Sequence, residues 1–281
     1  MKIQYLGTGG GAGIPELFCF CPVCEQARRE GGRNIRSRSQ AVLDGVISID
    51  FPVDAFMHSV CGGLDMHTIR DILVTHNHHD HFLPAELFSR PQNLGGPVNV
   101  WASEASGAPV RETLDRWEAA YAAGTRVKTS DYEIHLHVLR AFEPVNILGY
   151  NVYPMKAHHA ANVESLIYAV EKDGHSFLWA HDTGELYGSV REYLRTLNLT
   201  FDFVSLDCNL GRGERLTPSH MDIEQCAATA DFLREIGRAD GHTQFYISHI
   251  GHLLHKTHDE IEAEAREFGM HAAYDGLTVE F

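Results

Sequence analysis

Asp71-Ile72-Leu73-Val74-Thr75-His76-Asn77-His78-His79-Asp80-His81 is the stretch that decides how this chain is read. Asp71 to Val74 is a short, mainly apolar run of the kind a buried strand presents, and it leads straight into histidines. Five side chains behind Thr75 can bind a metal: His76, His78, His79, Asp80 and His81. In extended backbone, residues two apart project the same way, so His76 and His78 can grip one ion. The turn that must follow can swing Asp80 and His81 toward a second. Imidazole with carboxylate suits zinc, manganese, nickel or iron. A solvated histidine-rich loop is the plain alternative. Four ligands at this spacing, directly behind a strand, are far more specific than a lone histidine.

The 281 residues allow one large domain or two small ones. No linker or low-complexity run divides them, so one domain over residues 1–281 is expected. Lys and Arg number 23 against 38 Asp and Glu, a formal net charge of −15. That balance opposes long polyanions, because tight nucleic-acid binding usually needs a basic surface. A small anionic substrate stays compatible if metal ions supply local positive charge. The opening Met1-Lys2-Ile3-Gln4-Tyr5-Leu6 has neither the profile of a signal peptide nor a long apolar run, and no stretch has membrane-spanning length. A cytoplasmic protein is expected, with a homodimer left open as its assembly. Three of the six cysteines crowd into Cys19-Phe20-Cys21-Pro22-Val23-Cys24. Without a secretory signal this reads as a zinc knuckle over residues 19–24 rather than disulfides, and a closed zinc site needs a fourth ligand.

Strands and helices mingle along the whole length. Strands are expected at 2–6, 40–43, 46–49, 98–102, 132–139, 151–155, 166–170, 177–180, 203–206 and 245–247, with a last one beginning at Tyr274-Asp275-Gly276. Asp44-Gly45 between two apolar runs is a hairpin signal. Helices are expected at 25–30, 54–61, 65–70, 84–88, 112–123, 185–197, 223–236 and 259–268. Gly7-Thr8-Gly9-Gly10-Gly11 lacks the Gly-Lys-Ser/Thr of a P-loop and reads as a turn that lets backbone approach a buried site. His135 and His137 are expected to face solvent or neighbours. A carboxylate at a strand end, such as Asp182, can bridge two cations, as a dinuclear hydrolase requires; an N-cap for the 185–197 helix is its bland alternative. Asp50, just before Phe51-Pro52, reads equally as a turn or cap residue.

The pattern T-H-x-H-x-D-H at Thr75, His76, His78, Asp80 and His81 resembles the signature of the metallo-β-lactamase superfamily of metallohydrolases. The Leu6-Gly7-Thr8-Gly9 opening is similar to its ribonuclease Z and PhnP-type branch, and the C-x-C-x-x-C knuckle resembles the PhnP-type phosphodiesterases. The resemblance covers essentially the whole chain and implies an α/β fold, a four-layer αββα sandwich with its ligands on loops at one sheet edge. It implies one metal on His76, His78 and His159, a second on Asp80, His81 and His249, with Asp182 bridging. His158 stands where the family has Asn, and matching favours His159 over it as the ligand. Asp50 takes the place of an aspartate that braces the metal ligands. His252 matches the fourth ligand of a structural zinc with Cys19, Cys21 and Cys24. His220 matches a histidine that contacts the scissile phosphate, and His79 and His181 receive no role beyond spacing and packing.

What the resemblance implies is a binuclear phosphodiesterase acting on a small, cyclic phosphate ester such as phosphoribosyl 1,2-cyclic phosphate, with a water activated between two divalent ions attacking phosphorus. Asp80 and His220 are its expected catalytic residues. Departures at His158 and at Ser165-Leu166, where Gly-Tyr is usual, bear on the substrate more than on the reaction class. Ribonuclease Z-like processing of tRNA 3′ ends is a second reading, opposed by the acidic charge. A non-catalytic metal- or ligand-binding protein on the same fold is a third.

Overall fold

The computed structural model describes residues 1–89, 96–124, 133–214 and 216–281. In chain order its strands are β1 (Lys2–Gly7), β2 (Gln40–Leu43), β3 (Ile47–Ile49), β4 (Asp71–Leu73), β5 (Val98–Ser103), β6 (Ile134–Leu139), β7 (Val145–Ile147), β8 (Tyr150–Lys156), β9 (Leu166–Lys172), β10 (His175–Ala180), β11 (Phe203–Asp207), β12 (Gln244–Ser248), β13 (His271–Ala272) and β14 (Thr278–Glu280). The helices are α1 (Pro22–Glu30), α2 (Ala55–Cys61), α3 (Glu104–Ala122), α4 (Gly188–Thr196), α5 (Ile223–Glu235) and α6 (His258–Glu267). The strands form two sheets, ordered β14-β1-β2-β3-β4-β5-β6 and β13-β12-β11-β10-β9-β8-β7.

Alternation along the strands explains the layers. Phe177 and Trp179 of β10 point between the sheets, whereas Leu178 and Ala180 face the helices. On β9, Leu166, Tyr168 and Val170 point inward, and Ile167 and Ala169 outward. Strands covered on both faces read as unbroken apolar runs, which is how these appear in the sequence. The outer face of the first sheet is closed by Ala55 of α2 and Val110 of α3. That of the second is closed by α1, α4, α5 and α6 through residues such as Ala27, Leu194, Leu233 and Ala265. The layers are helix, sheet, sheet, helix, as expected.

Strands β3 to β6 run parallel to one another, and so do β10 to β13. Asp50, the His76–His81 segment, Asp182 and His249 follow the C-terminal ends of β3, β4, β10 and β12. Distant segments therefore reach one rim.

Several elements differ from expectation. Residues 65–70 form a single turn, not a helix: Asp65 accepts the backbone N–H of His67 at 2.9 Å through its side chain, a local bond that competes with helical pairing. The helix expected at 112–123 begins eight residues earlier, at Glu104 behind an N-cap on Ser103, since Gly107 and Pro109 look like helix breakers in sequence. The 185–197 helix starts at Gly188 with Tyr187 as N-cap, so Asp182 caps nothing. Tyr274 and Leu277 close a turn, and the last strand begins only at Thr278. The short β7 and β13 were not foreseen. The start of the strand expected at 132 lies outside the described residues. Asp44 and Gly45 make the anticipated hairpin turn, both left-handed at φ 48° and 75°.

Candidate active site

The chain reverses sharply after three of these strands. Asp50, Asp182 and His249 all adopt left-handed backbone, at φ 65°, 51° and 57°. For residues with a Cβ such conformations cost on the order of 1–3 kcal/mol each and persist only where the surroundings impose them. Here they turn three side chains inward at one rim. Gly10 lies against the same rim, where any Cβ would come within 2.3 Å of the Asn209 amide, so the Gly-rich turn does approach a buried site.

Two clusters of donor atoms share Asp182. In the first, Nε2 of His76 lies 3.0 Å from Nδ1 of His78, and Nε2 of His159 lies 3.1 Å from the same atom. Asp182 Oδ2 is 3.0 Å from His76 Nε2. In the second, His81 Nε2 lies 3.2 Å from Asp182 Oδ2, 3.4 Å from Asp80 Oδ2 and 3.3 Å from Nε2 of His249. Within each group the ligand atoms all fall within 4.8 Å of one another. Three ring nitrogens aimed at one point cannot all satisfy each other by hydrogen bonding, because each neutral ring has one donor and one acceptor. Asp182 Oδ1 and His159 Nδ1 are buried without any hydrogen-bond partner. Converging lone pairs and an orphaned carboxylate oxygen are what divalent cations would satisfy.

The surroundings fix the rings. Asp50, fully buried, accepts from Thr75 N at 2.7 Å and sits 2.7 Å from Nδ1 of His81, leaving Nε2 for the centre. A carboxylate on the far nitrogen of a ligating histidine sets its tautomer. Burial disfavours charge on His81, yet the Asp50 and Asp80 carboxylates outweigh it and push its pKa well above the usual imidazole value. Burial also opposes ionisation of Asp182, but the surrounding imidazoles hold it well below the usual carboxylate range.

The double histidine resolves geometrically. His159 enters the first cluster, while His158 turns away, its Nδ1 3.2 Å from the Glu185 carbonyl oxygen and its ring stacked on Tyr187. His79 is exposed. His181 packs on Trp179 and lies between the hydroxyls of Ser39 and Ser205. His137 stacks on Trp101, and His135 is exposed.

His220 reaches the rim, its Nδ1 3.3 Å from Asp182 Oδ1. It is held there by Asp207, which the sequence reading left as an ordinary strand end. Asp207 Oδ2 lies 3.1 Å from Nδ1 of His220 and 3.0 Å from Nδ1 of His249, and accepts the backbone N–H of Asp182 at 3.0 Å. Burial raises its pKa, but His220 and His249 hold it near about 2. Burial lowers that of His220, yet Asp207 raises it to about 9. The missed signal was positional: Asp207 ends a parallel strand, as Asp182 follows one.

The cysteine cluster is also assembled. Sγ of Cys24 and Cys21 lie 3.5 and 3.8 Å from Nδ1 of His252, and Cys19 joins them. Glu16 Oε2 sits 3.1 Å from the ring's other nitrogen. Burial raises the Cys21 thiol, but hydrogen bonds from the Cys24 backbone, Cys19 and His252 bring it down to about 6. A thiolate at neutral pH is the form a metal binds.

A family model described as a beta-lactamase superfamily domain matches residues 44–250. Among solved structures, a diphosphatase from the PhnP family is 22% identical, with a TM-score of 0.72, covering 100% of this chain and 98% of its own. Zn(2+)-bound PqqB from Methylobacterium extorquens is 16% identical at TM-score 0.73 over the full length of both chains. The short form of human tRNase Z is 17% identical at TM-score 0.62, covering 100% of this chain and 99% of its own. A curated octanoyltransferase of Porphyromonas gingivalis (strain ATCC BAA-308 / W83) is 25% identical across 99% of this chain, which spans about half, 51%, of that relative. Among the described residues no helix is long and apolar enough to cross a membrane.

Proposed function

Since this chain belongs to the beta-lactamase superfamily, we propose that it is a binuclear metal-dependent phosphodiesterase acting on a small, cyclic phosphodiester, with phosphoribosyl 1,2-cyclic phosphate as one example. The observation that carries the reading is His220, a proton donor braced by Asp207 and set 3.3 Å from Asp182, between the two ligand clusters. His76, His78 and His159 would hold one ion, Asp80, His81 and His249 the other, and Asp182 both. Two divalent ions held there would supply positive charge for phosphate oxygens and would lower the pKa of a water. Zinc, manganese, nickel and iron all match these donors. Cys19, Cys21, Cys24 and His252 would hold a separate structural zinc.

The chain's own groups divide the rest. His220 keeps Nδ1 on Asp207, so its Nε2 proton is the one available to the leaving oxygen. Asp80 has one oxygen toward His81, leaving the other to accept a proton from the attacking water. Asp50 and Asp207 fix the orientations of His81, His220 and His249, which limits reorganisation during the reaction. The −15 charge favours a small ester over tRNA.

The test is hydrolysis of bis(p-nitrophenyl) phosphate, cyclic nucleotides and ribose cyclic phosphates by metal-loaded protein. Turnover that falls about 100-fold in His220→Ala is expected. No hydrolysis of any of these esters would overturn the reading. A second reading, cleavage of an acyl thioester, is favoured by the octanoyltransferase match. The same preparation releasing thiol from octanoyl-CoA, and leaving the phosphate esters intact, would establish it instead.

A further inference from the structure

At the open edge of the sandwich, β13 and β14 are the outermost strands of their sheets. There Arg33, Tyr246, His258 and Tyr274 line a cavity of about 250 Å3 to which no proposed metal ligand contributes. His258 is only 4% exposed, and its Nδ1 lies 3.0 Å from Nη2 of Arg36. A guanidinium only donates, so Nδ1 accepts and the hydrogen of the neutral ring sits on Nε2. Among the described residues that N–H makes no hydrogen bond, and neither do the Arg33 guanidinium or the hydroxyls of Tyr246 and Tyr274. Two groups that can only donate, and two hydroxyls, are thus left for a ligand.

These groups are held by aromatic contacts. The Arg33 guanidinium lies over the Tyr274 ring, 4.8 Å from its centroid, and Tyr274 meets the His258 ring edge-on at 5.4 Å. Tyr246 is stacked on His271 at 5.2 Å between centroids, with the planes 29° apart. Ala272 and Leu277 add apolar wall. Arg266 and Glu262 also line the cavity, 2.7 Å apart, and offset each other's charge. The oxygens of Glu262 are engaged besides by His271 at 3.0 Å and by the Ala272 backbone N–H at 2.6 Å. Among the described residues, Arg33 is therefore the one arginine of the lining without a carboxylate partner.

We infer that this cavity is a second ligand site, separate from the metal rim, and that it takes a small carboxylate with a flat apolar body. Arg33 supplies one uncompensated positive charge, which matches a single carboxylate. His258 Nε2–H and the tyrosine hydroxyls donate to the same oxygens, and the rings with Ala272 and Leu277 cover the body. A cation finds no free carboxylate here. An adjoining cavity of about 410 Å3 shares Arg33 and His258 but adds Glu30 and Asp259, whose charges disfavour an anion on that side.

Saturation-transfer NMR titrations of the metal-loaded full chain test the site, with benzoate as probe and benzyl alcohol as its neutral counterpart. Saturable transfer to benzoate is expected, with benzyl alcohol bound at least about tenfold more weakly. Arg33→Gln, at an exposed position, should weaken benzoate at least about tenfold while melting like the parent protein. Tyr274→Phe keeps the ring under Arg33, removes the hydroxyl and should weaken it about fivefold. His159→Ala, altered at the metal rim, should bind benzoate as the parent does. No saturable transfer in the parent, equal affinity for the two probes, or unchanged affinity in Arg33→Gln overturns the inference. Loss of benzoate binding in His159→Ala would place the carboxylate on the metal ions and overturn it as well.

Discussion

The Asp207 carboxylate lies 3.1 Å from Nδ1 of His220, and Asp207 is completely buried. The same oxygen is 3.0 Å from Nδ1 of His249. Asp207→Asn should therefore weaken two functions together. Loss of a carboxylate behind a ligating histidine typically costs 10–100-fold in metal affinity or activity. Competition with a chromophoric chelator should show weaker metal binding in Asp207→Asn but unchanged binding in His220→Ala, with turnover reduced in both. Equal metal affinity in all three proteins would show that Asp207 does not steady His249.

His159 and His158 make opposite predictions. Nε2 of His159 lies 3.1 Å from His78 Nδ1, whereas the His158 ring faces Glu185 and Tyr187. Elemental analysis after dialysis should find about one fewer metal ion per chain in His159→Ala, and the parental content in His158→Ala. The reverse pattern would exchange their roles.

How much of this was legible beforehand follows from the range of each signal. The His76–His81 segment is local: strand, spacing and ligand types sit together, and the structure brings His76, His78, Asp80 and His81 to one rim. Asp182 was reachable as a carboxylate at the end of an apolar strand, and His249 only through the resemblance to the superfamily. Asp207 was not, since an aspartate ending a strand is common, and its value comes from meeting His220 and His249 across 13 and 42 residues of chain. The single turn at 65–70 and the early start of α3 were lost to local side-chain bonding and to Gly107 and Pro109. Two- and three-residue strands such as β13 and β7 carry too few residues for any periodicity.

Cys21→Ser tests the cysteine cluster as a staple. It joins the α1 end of the chain to His252, more than 200 residues away. Losing a metal that binds only the folded state removes folding free energy. A loss of about 2 kcal/mol would lower Tm by about 3–4 °C in a chain of this size. Scanning calorimetry should show that fall, and a chelator that strips the cysteine site in the parent protein should reproduce it. Unchanged melting in the variant would leave the cluster without a structural role.

His258 gives the fold a pH dependence of its own, away from the metal rim. It is buried, and its Nδ1 lies 3.0 Å from Nη2 of the buried Arg36. A guanidinium only donates, so Nδ1 must be the acceptor and the ring neutral. Burial, and then Arg36 and Arg33, lower its pKa from 6.5 to about 4, against weaker opposing pulls from Asp259 and Glu262. The unfolded chain therefore takes up the proton first as pH falls. The stabilisation is complete above about 6.5 and is lost progressively as pH drops toward 4, about 3 kcal/mol over the whole window. His258→Gln keeps an acceptor for Arg36 and cannot titrate. Urea unfolding at steps between pH 7.5 and 4.5 should show parent stability falling more steeply than that of His258→Gln, with the two curves diverging below about pH 6.5. Parallel curves would mean that His258 is protonated as readily in the fold as outside it, and that the Arg36 contact does not hold it neutral.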